Sequence, residues 1–547
     1  MGARQMFLAV AVATCALICA LPTPARASAT QQSILMDDDQ LIYASPAHVG
    51  HTLAQVASLG VDRVKVSVVW SLVAPDPTSS TKPKFDATDP AAYPPGAWDR
   101  YDTVVRLAQA LGMRTYFQFT PSIPTWAIDR SLPGGQGLPL GRAPDPHAFE
   151  QFVEAVGRRY SGTYAAKIPV SEPPPSLLGL PISLTPPQQQ ATKPGSPIPP
   201  VAYWGIWNEP NFPSWLNPWY RRLRGGLRQY TQPMIYRNLV NAAVQGLSTT
   251  GHSADTILLG ETANFGNLSP IPFIEDLYCV SSAYRPLTGR AATKVGCPTS
   301  GDRASFVAHN RGLFAISGYA HHPYGFDMAP DRPYPQRGWL TLQNLGVLER
   351  VLNGVFAGYG DSRPGGMPLY LSEWGYKTNP PNPYVKTSLT QQAAWLDEGE
   401  YMTWKVGYVR ALAQFLLVDD QPKAGEPVGS RKYWHTFQTG LETMDGKPKP
   451  SLAAFRIPIW LPDARRGPRV TVWGQLRPAN HAVLQYGEIQ YRRAGQPQWS
   501  TIRQIQTTSP EGFVLAHVPI RAAGSVRLGW LDIGGGTVVY SRSMTIR

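Results

Sequence analysis

The sequence predicts an α/β chain: a (β/α)8 TIM barrel followed by a small C-terminal β-sandwich. Two patterns carry that expectation. From about residue 31 to 457, short apolar runs of strand length alternate with longer segments of helical spacing, eight times over. This is the rhythm of a parallel barrel with insertions. After Leu461-Pro462-Asp463-Ala464-Arg465-Arg466-Gly467-Pro468 it gives way to short runs separated by turn residues, as in an antiparallel sandwich. At 547 residues the chain has room for two folded units.

The elements follow in order. Ser33 to Met36 or Leu41 to Tyr43 supplies the first strand, and Val64 to Trp70 the second. Trp98 to Leu111 has helical spacing and leads to the third strand, Thr115 to Phe119. Phe149 to Tyr160 is again helical. Strands four to eight are read at Tyr203 to Glu209, Ile257 to Glu261, Ile316 to His321, Leu369 to Glu373 and Ala413 to Val418. Residues 166–200 contain Pro173-Pro174-Pro175, Pro186-Pro187 and Pro199-Pro200, so ordinary helix or strand is not expected there. That insertion lies between a helix and the next strand, which places it on the barrel face away from the strand C-termini. The stretch from Ala263 to about Phe314 follows a strand and so belongs to the opposite, loop-bearing face. In the C-terminal part, Val470 to Trp473, Glu488 to Arg492, Trp499 to Ile505, Phe513 to Val518, Val526 to Trp530 and Val538 to Tyr540 read as strands. The expected organisation is therefore a leader at 1–29, a barrel at 30–460 and a sandwich at 466–547. The sandwich is expected to brace the barrel rather than to bind.

The leader is read from Arg4, an apolar stretch from Met6 to Leu21, and the small-residue segment Pro22 to Ala29. A basic start, a compact apolar core and small residues at the end fit a cleavable signal peptide and a secreted protein. The apolar part is barely long enough for a membrane span, so membrane insertion is not expected. Cys15 and Cys19 fall in the leader, leaving Cys279 and Cys297 as a disulfide in an oxidising compartment. Such a bridge would contribute about 3 kcal/mol. The net charge of +13 suits attraction to anionic surfaces, an acidic cell-wall polymer among them. No dense Lys/Arg run is interleaved with aromatics, which argues against nucleic acid as a partner. A monomer is expected.

Two of the barrel strands end on a carboxylate. Val201 to Ile206 runs into Trp207-Asn208-Glu209-Pro210, and Met367 to Ser372 into Glu373-Trp374-Gly375. Barrel active sites lie at the C-terminal ends of the strands, and strands four and seven face each other across the mouth. A charged residue ending a buried strand requires a partner or a function. Two carboxylates placed this way suit the splitting of a glycosidic bond, which needs a proton donor and a nucleophile.

On the Asn-Glu-Pro and Ser-Glu-Trp-Gly strand ends, the chain resembles the clan A glycoside hydrolases, most closely the family 39 and family 5 type. The resemblance covers most of residues 31–457. It implies a poly- or oligosaccharide substrate and double displacement, with Glu209 as general acid/base and Glu373 as nucleophile. It also implies that Asn208 bonds the sugar 2-hydroxyl. Strict strand alternation would send Asn208 and Glu209 to opposite faces, so the strand end must twist or bulge. In His321-His322-Pro323-Tyr324 the clan's His-x-Tyr pattern maps onto His322 and Tyr324. Tyr324 is then a donor to the nucleophile, and His322 a contact for the sugar or Glu209. Lys65 stands where the clan commonly has arginine, without the bidentate fork. The stacking tryptophan of strand eight is absent from Phe415-Leu416-Leu417-Val418, leaving Trp374 and Trp434 as substitutes. No metal site is expected, because adjacent histidines on a strand diverge and no third ligand is spaced nearby; no cofactor is expected either. Two other readings stay open: a catalytically silent barrel that binds cell-surface glycans, and an inverting hydrolase with a wider carboxylate gap.

Overall fold

The computed structural model describes residues 27–132, 139–169, 176–177, 180–181, 192–336, 338–479, 483–532 and 536–547. Residues 1–26 of the predicted leader and the proline runs at 173–175 and 186–187 lie outside the described residues. Eight parallel strands close into a barrel: β1 (Gln32–Met36), β2 (Arg63–Val69), β3 (Arg114–Thr120), β4 (Tyr203–Ile206), β5 (Thr256–Ala263), β6 (Gly318–His322), β7 (Leu369–Trp374) and β8 (Val409–Phe415). Each strand hydrogen-bonds to its sequence neighbours, and β8 returns to β1. The covering helices include α1 (Pro46–Ser58), α2 (Asp99–Ala110), α3 (Pro146–Arg159), α4 (Gln232–Thr249), α5 (Leu345–Gly358), α6 (Leu389–Trp404) and α7 (Pro450–Arg456). Their starts follow capping chemistry. Ser45 and Asp145 accept N–H bonds ahead of Pro46 and Pro146, and Ser388 forms a capping box with Gln391.

The barrel interior has two zones. A small apolar plug contains Ile34, Tyr116, Leu258, Ala320, Tyr370, Ala411 and Ala413. Among the described residues, Lys65, Gln118, Glu261, His322 and Glu373 are also buried, and they carry the polar chemistry toward the mouth. Apolar side chains facing outward from the strands pack under the helices in one large core.

One open alternative is decided here, for Ser33 to Met36, and two sequence expectations are corrected. The first strand is Gln32–Met36, while Leu41 ends a short helix, Asp38–Leu41. The eighth strand is Val409–Phe415 rather than 413–418. Leu416 turns into the left-handed region at φ 75°, and the N–H groups of Leu417 and Val418 bond the Asp37 carboxylate at 3.0 and 3.1 Å instead of a neighbouring strand. Within the proline-rich insertion, Lys167–Pro169 pairs antiparallel with Thr192–Pro194, and Ser176–Leu177 with Leu180–Pro181. Two- and three-residue ribbons tolerate proline because an edge strand leaves alternate N–H positions unused.

The C-terminal part stacks a three-stranded sheet of β9 (Ile459–Trp460), β10 (Gly467–Gln475) and β13 (Phe513–Ile520) on a five-stranded sheet. The latter comprises β11 (Gln485–Arg493), β12 (Ser500–Thr507), β14 (Gly524–Asp532), β15 (Thr537–Tyr540) and β16 (Met544–Ile546). Its core includes Val472, Ile489, Val518, Val526 and Leu528. β9 pairs with β10, so the last residues of the predicted barrel segment lie in this sheet. The unit is braced on α6. Trp473 packs 5.6 Å from Tyr401 and 5.8 Å from Trp404, and Arg477 bonds Glu400 at 2.6 Å. The backbone of Arg477 approaches Gly60 so closely that a Cβ there would lie 2.2 Å from its carbonyl oxygen. Arg542 pairs with Asp397, which is fully buried and whose carboxyl burial pushes up to about 7 despite that partner. Removing the cation strands a buried charge, so Arg542→Ala should cost about 3 kcal/mol. A urea midpoint unchanged from wild type would show that this brace is not holding the two units together.

Cys279 and Cys297 are joined, with their Cα atoms 5.7 Å apart. Among the described residues, no helix is long and apolar enough to cross a membrane.

Candidate active site

The apolar β4 ends at Ile206, and the next residues leave strand geometry. Trp207 has φ 69° and Glu209 φ 41°, left-handed conformations that cost about 1–3 kcal/mol each and persist only where the surroundings impose them. The Trp207 indole is drawn away by the Trp215 carbonyl at 2.8 Å, and the Glu209 N–H is held by the Glu261 carbonyl at 3.0 Å. This twist is the one that the Asn208/Glu209 alternation requires. Asn208 Oδ1 accepts from Gln118 Nε2 at 3.0 Å, which leaves its N–H2 group for a ligand hydroxyl.

Glu373 comes from β7, with Lys65 Nζ 3.2 Å from one carboxylate oxygen and the Tyr324 hydroxyl 3.4 Å from the other. Its neighbour Trp374 points the opposite way. A Cβ on Gly399 of α6 would lie 2.2 Å from the Trp374 ring, which is buried against that helix. Strand alternation that turns Glu373 inward turns Trp374 outward, so the stacking role expected for Trp374 is ruled out. Trp434 is half-buried on the loop after β8, its ring against Tyr433 and its carbonyl accepting from Asn382; no contact ties it to the carboxylates. Among the described residues, aromatics that adjoin the site include Trp215, whose side chain hydrogen-bonds Glu209, and Phe415, the last residue of β8, half-buried and 6.4 Å ring to ring from Tyr324.

A third carboxylate, passed over in the sequence reading, occupies the centre. The β5–β6 register shifts between Gly260 and Thr262, and Glu261 is the bulged residue, at φ 49°. Its side chain is fully buried in the barrel. It accepts from Lys65 Nζ at 2.6 Å, His322 Nε2 at 3.1 Å and Ser372 Oγ at 3.1 Å, and also from Tyr116 and Gln118. Room for it is made by Gly205, where a Cβ would lie 2.4 Å from Glu261 Oε1 and 2.7 Å from the Tyr116 hydroxyl. A signal for it was present: Ile257-Leu258-Leu259-Gly260-Glu261 is another apolar run ending on glutamate, the same signature that singled out Glu209.

Glu261 is linked to Glu209 through His322 and to Glu373 through both Lys65 and His322, the latter at 3.5 Å. His322 Nδ1 lies 3.0 Å from Glu209 Oε1, and Lys65 reaches Glu373. Burial works against charge at every member, and the partners decide the outcome. Burial would raise Glu261, but Lys65 and His322 hold it at about 2. Burial would lower His322, but Glu373, Glu209 and Glu261 carry it up to about 9. Burial likewise disfavours the Lys65 charge, which Glu261 and Glu373 more than restore. At Glu209 burial prevails, and its carboxyl is raised above the usual glutamate range. The cluster therefore sets two cations, Lys65 and His322, among three carboxyl groups, and burial favours the protonated form of Glu209. Next door, His321 bonds Thr262 and the Leu340 carbonyl, and burial lowers it to about 4; it is structural.

Contrary to the expectation of no third ligand nearby, Glu209, His322 and Glu373 offer three ligand atoms within 4.8 Å of one another. A ligating histidine needs a lone pair, however, whereas both His322 nitrogens face carboxylates and Lys65 already serves Glu373 as cation. The arrangement is built to hold and move protons.

No family model matches this chain, and no curated protein matches it. Among solved structures, it is similar to a glucosidase from Croceicoccus marinus, with 12% identity, 95% of this chain and 100% of that one covered, and a TM-score of 0.47. It is also similar to a family 39 glycoside hydrolase from Bacteroides cellulosilyticus WH2 (13% identity, 90% and 80% covered, TM-score 0.44). A third likeness is to a monomeric beta-xylosidase from Caulobacter crescentus CB15 (14% identity, 91% and 95% covered, TM-score 0.43). At these values the similarities carry no inference about activity, which rests on the site itself.

Proposed function

We propose that the chain is a secreted, retaining glycoside hydrolase acting on a poly- or oligosaccharide by double displacement. The observation that carries this reading is the spacing of Glu209 and Glu373, whose nearest oxygens lie within 4.8 Å. Retaining enzymes hold their carboxyl groups about 5–5.5 Å apart, whereas inverting enzymes leave about 6.5–9.5 Å for a water molecule. The environments divide the roles. Glu373, between an ammonium and a phenol, attacks the anomeric carbon as a carboxylate and forms the glycosyl ester. Glu209, whose protonated form burial favours, gives its proton to the departing glycosidic oxygen as the C–O bond breaks. His322 stabilises the carboxylate that Glu209 then becomes. In the second step Glu209 takes a proton from water, the hydroxyl adds to the anomeric carbon, and Glu373 leaves. Asn208 is placed to bond a sugar hydroxyl, and Phe415 to face a sugar ring.

The reading is tested by following the anomeric proton of the first-formed product by NMR, with an aryl glycoside found by screening. Net retention of configuration is expected. Inversion would reject double displacement, and cleavage of no glycoside in the screen would favour the silent glycan binder.

A further inference from the structure

The C-terminal unit has a charge pattern that bracing the barrel does not explain. Residues 466–547 contain ten arginines and no lysine, against Glu488, Glu511 and Asp532 as the only acidic side chains. Four of the arginines, Arg466, Arg492, Arg493 and Arg547, line one open cavity of about 610 Å³ between the β11–β12 turn, the start of β14 and the end of β16. None of the four forms an ion pair among the described residues, and none of the three acids lines the cavity.

Like charges gathered around a cleft repel one another unless an anion joins them. The walls are also held in place: Arg466 N–H bonds the Arg547 carbonyl at 2.9 Å, and Ala494 N–H the Ala523 carbonyl at 2.9 Å. From the cavity the charge continues along the outer face of the five-stranded sheet. Arg492 stacks 4.8 Å from Trp499, and Arg527 lies 4.3 Å from Trp499 and 3.7 Å from Tyr540. A stacked guanidinium keeps its in-plane N–H forks free for planar acid groups, a geometry that lysine does not offer.

We infer that this cleft binds an acidic polysaccharide through its carboxylate or sulfate groups. The volume is that of a small-molecule site, about 300–1,000 Å³, and so accommodates sugar units rather than a lone ion. Nucleic acid is disfavoured because Trp499, the aromatic beside the cleft, already carries two guanidinium groups and offers little surface to a base. The choice of a polysaccharide among polyanions rests on the glycosidase reading above.

Affinity electrophoresis of the full chain tests this, in native gels containing polygalacturonate, dextran sulfate, unmodified dextran or duplex DNA. The replacement Arg466→Gln/Arg492→Gln/Arg493→Gln/Arg547→Gln is compared with an equally charged control, Lys84→Gln/Arg224→Gln/Arg290→Gln/Lys294→Gln, whose residues are exposed elsewhere. We expect retardation by an acidic glycan but not by dextran. The dissociation constant should rise about tenfold or more in the cleft variant and less than about twofold in the control. Preference between polygalacturonate and dextran sulfate then identifies the acid group. Equal losses in both variants would reduce the effect to net charge and overturn the proposal, as would tighter binding of DNA than of either glycan. No retardation of the unmodified chain by either acidic glycan, with aryl-glycoside hydrolysis intact, sinks the cleft alone; retardation without any hydrolysis sinks the glycosidase reading alone.

Discussion

Replacing Glu373 by Gln should abolish turnover, with kcat falling by about 10⁴-fold or more, as for other residues that act as a catalytic unit. Glu209→Ala should behave differently, and the difference separates the two roles. An aryl glycoside with an acidic phenol needs no proton to depart, so the first step survives in Glu209→Ala while the second, which needs a base, slows. A burst of phenolate and a glycosyl-enzyme adduct visible by intact mass are therefore expected from Glu209→Ala and not from Glu373→Gln. Adducts in Glu373→Gln, or none in either variant with turnover intact, would show that these carboxylates have been assigned wrongly.

The second large effect is expected at Glu261. Its carboxylate accepts from five donors: Lys65, Tyr116, Gln118, His322 and Ser372. Glu261→Gln keeps the shape but points an N–H2 group at partners of which only the Tyr116 and Ser372 hydroxyls can accept, and it removes the anion that the buried Lys65 and His322 share. A loss of about 3–5 kcal/mol in stability is expected, as for other broken buried ion pairs. An activity loss of about 10²-fold should follow from the displaced Glu209 and Glu373. A purely structural role would not move the titration of His322. We expect its imidazolium, held up to about 9 in the wild type, to lose its proton at lower pH in the variant, read by NMR of the ring nitrogens. An unchanged His322 titration would reject the coupling.

The wild-type pH dependence follows with opposite signs for the two groups. Glu261 falls from its ordinary 4.5 to about 2, so its contribution to stability is complete above pH 4.5 and is lost as pH drops through 2. His322 rises from 6.5 to about 9, so its contribution is complete below pH 6.5 and is lost as pH climbs through 9.

The barrel and the sandwich were legible because strand and helix periodicity are local properties of the chain, and because turn residues separate the β-runs after Pro468. Glu209 and Glu373 were legible for a related reason: a buried strand ending on a carboxylate is anomalous wherever it occurs. Trp374 was misread, since its neighbour's inward turn sends it outward, and the end of β8 was placed three residues late, at Val418 instead of Phe415, since only the fold shows Asp37 claiming the N–H groups of Leu417 and Val418. What the linear order could not contain is the joining of Lys65, Glu261, His322 and Glu373 across four strands. The charge state of each group is set by the others at about 3 Å in a site without water's dielectric, so the sequence determined which groups could ionise, and tertiary contact alone decided which of them do.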